Sequence, residues 1–276
     1  MTQIKAAEVS KLRKITGAGM MDCKKALQES DGDFDKAIEI IRKKGQSVAN
    51  KRADREATEG VVLAKVNKTG NKGAIIALNC ETDFVAKNAN YVNFAQSILD
   101  LALSEEPSSL DELKGLKLGD STVQESITEQ IGIIGEKLDL AYYDKIDAPS
   151  VTAYIHPGNK LASLVGLNLD NIDPQIGKDV AMQVAAMNPV AVDKEGVSQE
   201  TIDKEIEIGK ELAKREGKPD NLLEKIALGK LNKFFKENTL LNQAFVKENK
   251  KTVKQYLQEQ NKELTVTEFK RFTLNI

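Results

Sequence analysis

Two stretches of this chain run through the same order of apolar periods, first the two-residue repeat of a strand pair and then the 3.6-residue repeat of a helix. Residues 61–66, Val-Val-Leu-Ala-Lys-Val, suit a buried strand. Residues 67–73 hold Asn, Lys and Gly and read as a turn, and 74–80 are a second apolar run, so the pair predicts a hairpin. A helix over about 90–103 follows, with Phe94, Ile98 and Leu101 on one face. The order returns with a strand at 151–155, a turn at 156–160, a strand at 161–169 and a helix at 177–187. Hairpin-then-helix used twice predicts an α+β fold with two related core subdomains, the first ending in a helix over about 124–138.

The flanks carry only helical signals until the end of the chain. In residues 1–45, Val9, Leu12 and Ile15 share a stripe, Thr16 to Gly19 break it, and Met20, Cys23, Lys24 and Leu27 line a second helix. Asp33 is a natural N-cap for a third, carrying Phe34, Ala37, Ile38 and Ile41, with Gly45 as its expected end. Residues 46–58 are almost wholly polar, with Lys51, Arg52, Asp54, Arg55 and Glu56, and read as a linker or a solvated helix. The core subdomains are then 59–140 and 141–197. Residues 198–236 predict a helical hairpin, with Ile202, Ile206, Gly209 and Ala213 on one arm and Leu223, Ala227, Leu231 and Phe234 on the other. Charges fill its remaining positions, as in an antiparallel coiled coil projecting into water. Residues 237–276 form a C-terminal module, a helix near 253–257 and a strand over 264–274 that returns to a sheet.

Composition narrows the function classes. With 40 basic against 42 acidic residues the net charge is −2, which opposes a surface built to grip phosphate backbones. An RNA-binding reading through Lys51, Arg52 and Arg55 is further opposed by an aromatic content of 5%, too low for base stacking. Cys23 and Cys80 lie in no metal or redox spacing, and two isolated thiols fit a reducing cytosol. The first residues lack the apolar core of a secretion signal and no run approaches a membrane span, so a cytoplasmic chain away from membranes is expected. His156 is the one histidine, and no P-loop, GxSxG or HExxH occurs. Asp31, Asp33 and Asp35 alternate like calcium ligands, but position 12 of that loop would be Arg42, so a helix cap is the better reading. The expectation is a non-enzymatic chain without metal or cofactor.

The unusual segment is Asn79-Cys80-Glu81-Thr82-Asp83-Phe84-Val85-Ala86-Lys87-Asn88, which leaves a buried strand and places a carboxylate beside a large aromatic. In one reading Thr82 or Asp83 caps a short helix, and Phe84 and Val85 tuck into the subdomain. In the other the loop enters the cleft of a partner protein.

Thr16-Gly17-Ala18-Gly19-Met20-Met21-Asp22-Cys23-Lys24-Lys25-Ala26-Leu27 and Glu81 to Asn88 resemble, in order, two signatures of the elongation factor Ts family. The likeness continues more weakly through His156-Pro157-Gly158 and 180–186. It implies a ubiquitin-associated-like three-helix module, two core subdomains, a protruding coiled coil and a C-terminal module. It also implies guanine-nucleotide exchange on elongation factor Tu, with the N-terminal module and the 82–85 loop touching the GTPase's nucleotide domain and the second core subdomain reaching its third domain. By resemblance, Thr82, Asp83, Phe84 and Val85 match the segment that displaces magnesium, Phe84 as a wedge and Asp83 on the ion's side. Arg13, Met20, Met21 and Lys24 match N-terminal contacts, and Ile134, Gly135 and His156 match contacts of the core. Pro157 departs from the pattern, since relatives carry Gly directly after the histidine, and this leaves the local turn open. A scaffold that binds a helical or ubiquitin-like partner through residues 1–45 is the alternative, but it gives the 82–85 loop no role.

Overall fold

The computed structural model describes residues 4–274. Chain contacts divide it into two compact units, one of residues 4–63, 76–144 and 273–274, the other of 64–75 and 145–272. Helix and sheet are mixed in an α+β arrangement.

The first unit begins with three helices, α1 (Ala6–Thr16), α2 (Met20–Glu29) and α3 (Phe34–Lys51). Val9, Leu12, Cys23, Ala26, Leu27 and Ala37 form their small core. Gly17 ends α1 at φ +69°, a left-handed backbone that favours glycine, and its N–H returns to the Arg13 carbonyl. Asp33 caps α3 by accepting from the N–H groups of Asp35 and Lys36, which settles the aspartate cluster as a cap. Strands β1 (Glu59–Val66) and β2 (Lys72–Cys80) follow, then α4 (Asp83–Ala86), α5 (Ala89–Glu105) and α6 (Leu110–Gly115). After the short pair β3 (Lys117–Leu118) and β4 (Ser121–Thr122) come α7 (Val123–Ile134) and β5 (Leu138–Asp147). Strand order is β1-β2-β5, and the division between units falls inside each of these strands.

Several expectations for this half need correction. Gly45 does not end α3; the helix runs on to Lys51, so the helix alternative holds for the first half of the 46–58 segment. Gly45 is there because α3 crosses α7 at close range. A Cβ added to Gly132 would lie 2.5 Å from the Gly45 Cα, backbone that cannot step aside. Across the same crossing the Arg42 guanidinium meets Glu129 at 2.9 Å. The helix expected to reach 138 stops at Ile134, because Gly135 turns left-handed at φ +81°. Leu138 instead opens β5, a strand the periodicity reading passed over although Leu138, Leu140 and Ile146 are buried in alternation.

The second unit is built on β6 (Ser150–Ile155) and β7 (Leu161–Leu167), antiparallel with Ser150 opposite Leu167 and Ile155 opposite Ala162. Helix α8 (Pro174–Met187) covers them, and Gly177 lets it approach Thr152 more closely than any side chain would allow. Helices α9 (Gln199–Arg215) and α10 (Asp220–Asn238) double back on each other, with Gly209 facing Ala227 at the seam. A short pair, β8 (Ala244–Phe245) and β9 (Glu248–Thr252), leads to α11 (Val253–Gln260) and β10 (Val266–Thr273). β10 joins β7 on the side away from β6, the return to a sheet that the terminal alternation predicted. Val165, Val180, Val184, Leu240, Leu257 and Val266 share the core of this unit. No helix among the described residues is long and apolar enough to cross a membrane.

Candidate docking surface

The chain leaves β2 at Cys80 and turns within two residues into the single-turn helix α4. Thr82 is the N-cap, its Oγ accepting from the Val85 N–H at 3.5 Å. Asp83 is therefore the first helical residue and not the cap. Its carboxylate accepts from the Lys87 ammonium one turn on, at 2.6 Å, and this bond and charge raise the Lys87 pKa. Phe84 points away from the unit and is 84% exposed, which removes the reading that tucks it into the subdomain. Val85 is half-buried and Ala86 is buried, so of the apolar side chains in this turn only Phe84 is offered outward.

Behind the tip, the backbone is held by groups remote in sequence. Glu81 Oε1 accepts from the Arg52 guanidinium and from the Lys137 N–H, each at 2.6 Å, and Arg55 reaches Oε2 at 3.5 Å. Burial alone would raise the Glu81 pKa, but these donors outweigh it and hold the carboxyl below the ordinary value. The Glu136 carboxylate straddles Thr82, Oε2 accepting from its N–H at 3.0 Å and Oε1 from its hydroxyl at 2.7 Å. The Lys137 ammonium donates to the carbonyls of Ala53 and Arg55 at 2.7 and 2.8 Å. Cys80 donates its thiol to the Thr82 carbonyl, and burial pushes its pKa up to about 11, so it sits as a packed neutral group.

The other residues singled out from the sequence lie in the first unit, except His156. Gly17, Val85, Tyr91, Ile133 and Ile134 line one hollow, which brings the α1–α2 junction, the 82–85 loop and the end of α7 together. Met20 and Met21 open α2 and are 57% and 64% exposed. Arg13 and Lys24 are exposed, and so is Ile15, although it shares a stripe with the buried Val9 and Leu12. Gly135 has no atom within 4 Å of where a Cβ would stand, so its backbone conformation, and not crowding, is what requires glycine. His156 lies in the second unit, exposed at the end of β6, with the Tyr154 hydroxyl 3.0 Å from its Nδ1. Its turn closes by the Asn159 N–H donating to the His156 carbonyl at 3.0 Å, with Gly158 at φ +94°. Pro then Gly at the two central positions is the pattern of a type II turn, so Pro157 fits where it stands.

Sequence reasoning included Glu81 in the segment without a role, and missed Glu136 and Lys137 as parts of this site. Arg52 and Arg55, weighed there as RNA contacts, are engaged by Glu81 instead.

An outward aromatic on a braced turn, with exposed methionines at a neighbouring helix start, is the kind of surface suited to docking on another macromolecule through apolar anchors. The sequence profile of the family described as Elongation factor TS matches residues 81–275. A protein named Elongation factor Ts from Porphyromonas gingivalis ATCC 33277 is 55% identical over 269 residues, covering 97% of each chain. The like-named proteins of Amoebophilus asiaticus and Bacteroides thetaiotaomicron are 55% and 42% identical; each alignment covers 97% of this chain and 98% of theirs. The chain belongs to the elongation factor Ts family.

Proposed function

We propose that this chain is a guanine-nucleotide exchange factor in translation elongation, acting in the cytoplasm on elongation factor Tu with GDP bound. The observation that carries the reading is Phe84, 84% exposed at the tip of a turn whose base is bonded to the side chains of Arg52, Arg55 and Glu136 and to the Lys137 N–H. A large apolar side chain held in water costs solubility and gains nothing within this chain, but it suits insertion between elements of a partner. Residues 1–45 serve as the ubiquitin-associated-like docking module, with Arg13, Met20, Met21 and Lys24 as contacts. Ile134, Gly135 and His156 add further contacts, and the α9–α10 hairpin is the family's coiled coil. The two hairpin-and-helix regions are its related core subdomains.

A GTPase holds GDP through backbone amides at the phosphates and through Mg²⁺ bridging phosphate and protein oxygens. Phe84 wedges the helices that support this site, and Asp83, a hard oxygen donor, disturbs the ion or its water shell. A carboxylate gains nothing by facing phosphate directly, since like charges repel. Factor and nucleotide then weaken each other's binding, and by linkage the incoming nucleotide expels the factor. No proton transfer or covalent step is needed, so the chain works without a catalytic residue or cofactor of its own.

The test is release of labelled GDP from purified elongation factor Tu, with and without this chain, at millimolar Mg²⁺ and after chelation. Acceleration that is large with Mg²⁺ and shrinks on chelation supports the reading. An unchanged release rate in both conditions removes it.

A further inference from the structure

We propose that Glu136 is a positioning residue for exchange, its carboxylate fixing the pose in which Phe84 and Asp83 are presented. The inference rests on the exchange reading of the 82–85 loop and adds a residue that has no direct contact with the partner in that reading.

The argument begins with the length of the turn. Between the last residue of β2 and the first of α4 stand only Glu81 and Thr82, so their backbone dihedrals set the direction of everything that follows. A helix of one turn has too few internal bonds to hold its own axis. The direction must come from outside, and Glu136 supplies it at Thr82. Its two oxygens take the Thr82 N–H and hydroxyl at 3.0 and 2.7 Å, so both backbone and side chain are fixed by one planar group. The same Thr82 oxygen accepts the Val85 N–H, so the clamp passes directly into the first turn of α4. The hydroxyl has its donor and one acceptor site in use and has no reason to rotate elsewhere.

Glu136 is itself held. Gly135 turns the chain out of α7 with φ +81°, and the next residue, Lys137, is pinned through its N–H to Glu81 and its ammonium to Ala53 and Arg55. Residues 136 and 137 thus deliver consecutive contacts to residues 82 and 81. Both contacts converge on the two residues that aim the loop.

The experiment measures GDP release from elongation factor Tu against factor concentration, giving a maximal rate and a half-saturating concentration. The variants are Glu136→Met, which keeps volume and removes both acceptors, Glu136→Gln, which keeps one, Phe84→Ala and the double variant. The expected result is a maximal rate lowered about 10- to 100-fold in Glu136→Met, the scale of a displaced reacting group. Half-saturation should move less than about threefold, since the apolar anchors stay in place. Glu136→Gln should recover part of the rate, and the double variant should be no slower than Phe84→Ala alone, because both changes remove one presented side chain. Should Glu136→Met melt early, Glu136→Ala is judged by the same criteria per folded molecule. A wild-type maximal rate in both, or losses that add in the double variant, overturns the positioning role while leaving the wedge intact. If Phe84→Ala itself exchanges normally, the wedge reading falls and this inference falls with it.

Discussion

The chain leaves a strand at Cys80 and again at Ile155, and the two exits are held by different kinds of bond. The turn after Ile155 closes on itself: Asn159 donates to His156, the His156 N–H donates to Leu161, and Pro157 and Gly158 supply the dihedrals. Everything it needs lies within a few residues. The turn after Cys80 has one local tie, the Cys80 thiol to the Thr82 carbonyl, and for the rest is held by distant groups. Its carboxylate and hydroxyl reach Arg52, Arg55, Glu136 and Lys137, none closer than 26 residues in sequence. A self-closed turn can present a side chain wherever its hairpin goes. A turn braced from remote elements presents Phe84 in fixed register with those elements, as the proposed wedge would require.

This contrast can be broken most sharply at Phe84. Phe84→Ala should cost about 2–4 kcal/mol of the exchange-competent complex, the range of an interface anchor, with the melting temperature unchanged. A variant that melts early but exchanges normally once folded would make Phe84 a structural residue. Next in size is the charge dependence of the brace. The Glu81 carboxyl is depressed in the folded chain, so its contribution is complete above its unfolded value near 4.5 and is lost as pH falls through the lower folded one. Glu81→Gln should therefore cost about 1.5–3 kcal/mol near neutrality. Thermal melts of both proteins should converge as acid protonates Glu81; a gap that widens in acid would reverse the assigned sign.

A third experiment uses two glycines with the same backbone strain. Gly135 and Gly158 have φ of +81° and +94°, and neither has an atom within 4 Å of a would-be Cβ. Alanine at either should cost about 1–2 kcal/mol of stability. Only Gly135→Ala should slow exchange per folded molecule, because it moves Glu136 and Lys137; equal slowing in Gly158→Ala would erase the distinction between the exits. The smallest effect is expected at His156. His156→Gln should weaken binding to elongation factor Tu by less than about tenfold, as for residues outside a hot spot, without changing the melting temperature. A loss as large as that of Phe84→Ala would make the self-closed turn the dominant contact.

What was legible in the sequence follows the same division. The hairpins, the three N-terminal helices, the Asp33 cap, the α9–α10 pair and the returning strand β10 all announce themselves through local period and turn chemistry. The loop at 79–88 was visible as an anomaly, a carboxylate and an aromatic at a strand exit. Its supports were not, because nothing near Glu81 in sequence indicates Arg52 or Lys137, and a lone Glu136 after a helix has the look of any solvated residue. Gly45 misled for a related reason. In sequence it is a helix stop, and only its partner Gly132, far along the chain, shows it to be a place where two helices nearly touch. β5 was lost because Tyr142 and Tyr143 interrupt its alternation, and both are only partly buried.

The Gly45–Gly132 crossing has a consequence for how the surface can vary. Helix α7 is seated on α3 near its own C-terminal end, at Gly132, and Glu136 stands four residues further on, so this end acts as a caliper between α3 and the turn at Thr82. Its jaw spacing is set by the number of residues from Gly132 to Glu136. Insertion or deletion of one residue there would rotate the end of the helix by about 100° and swing the carboxylate off Thr82. Drift in surface side chains is cheap by comparison, since it leaves the gauge unchanged. A chain of this design can therefore lengthen elsewhere more readily than along that interval.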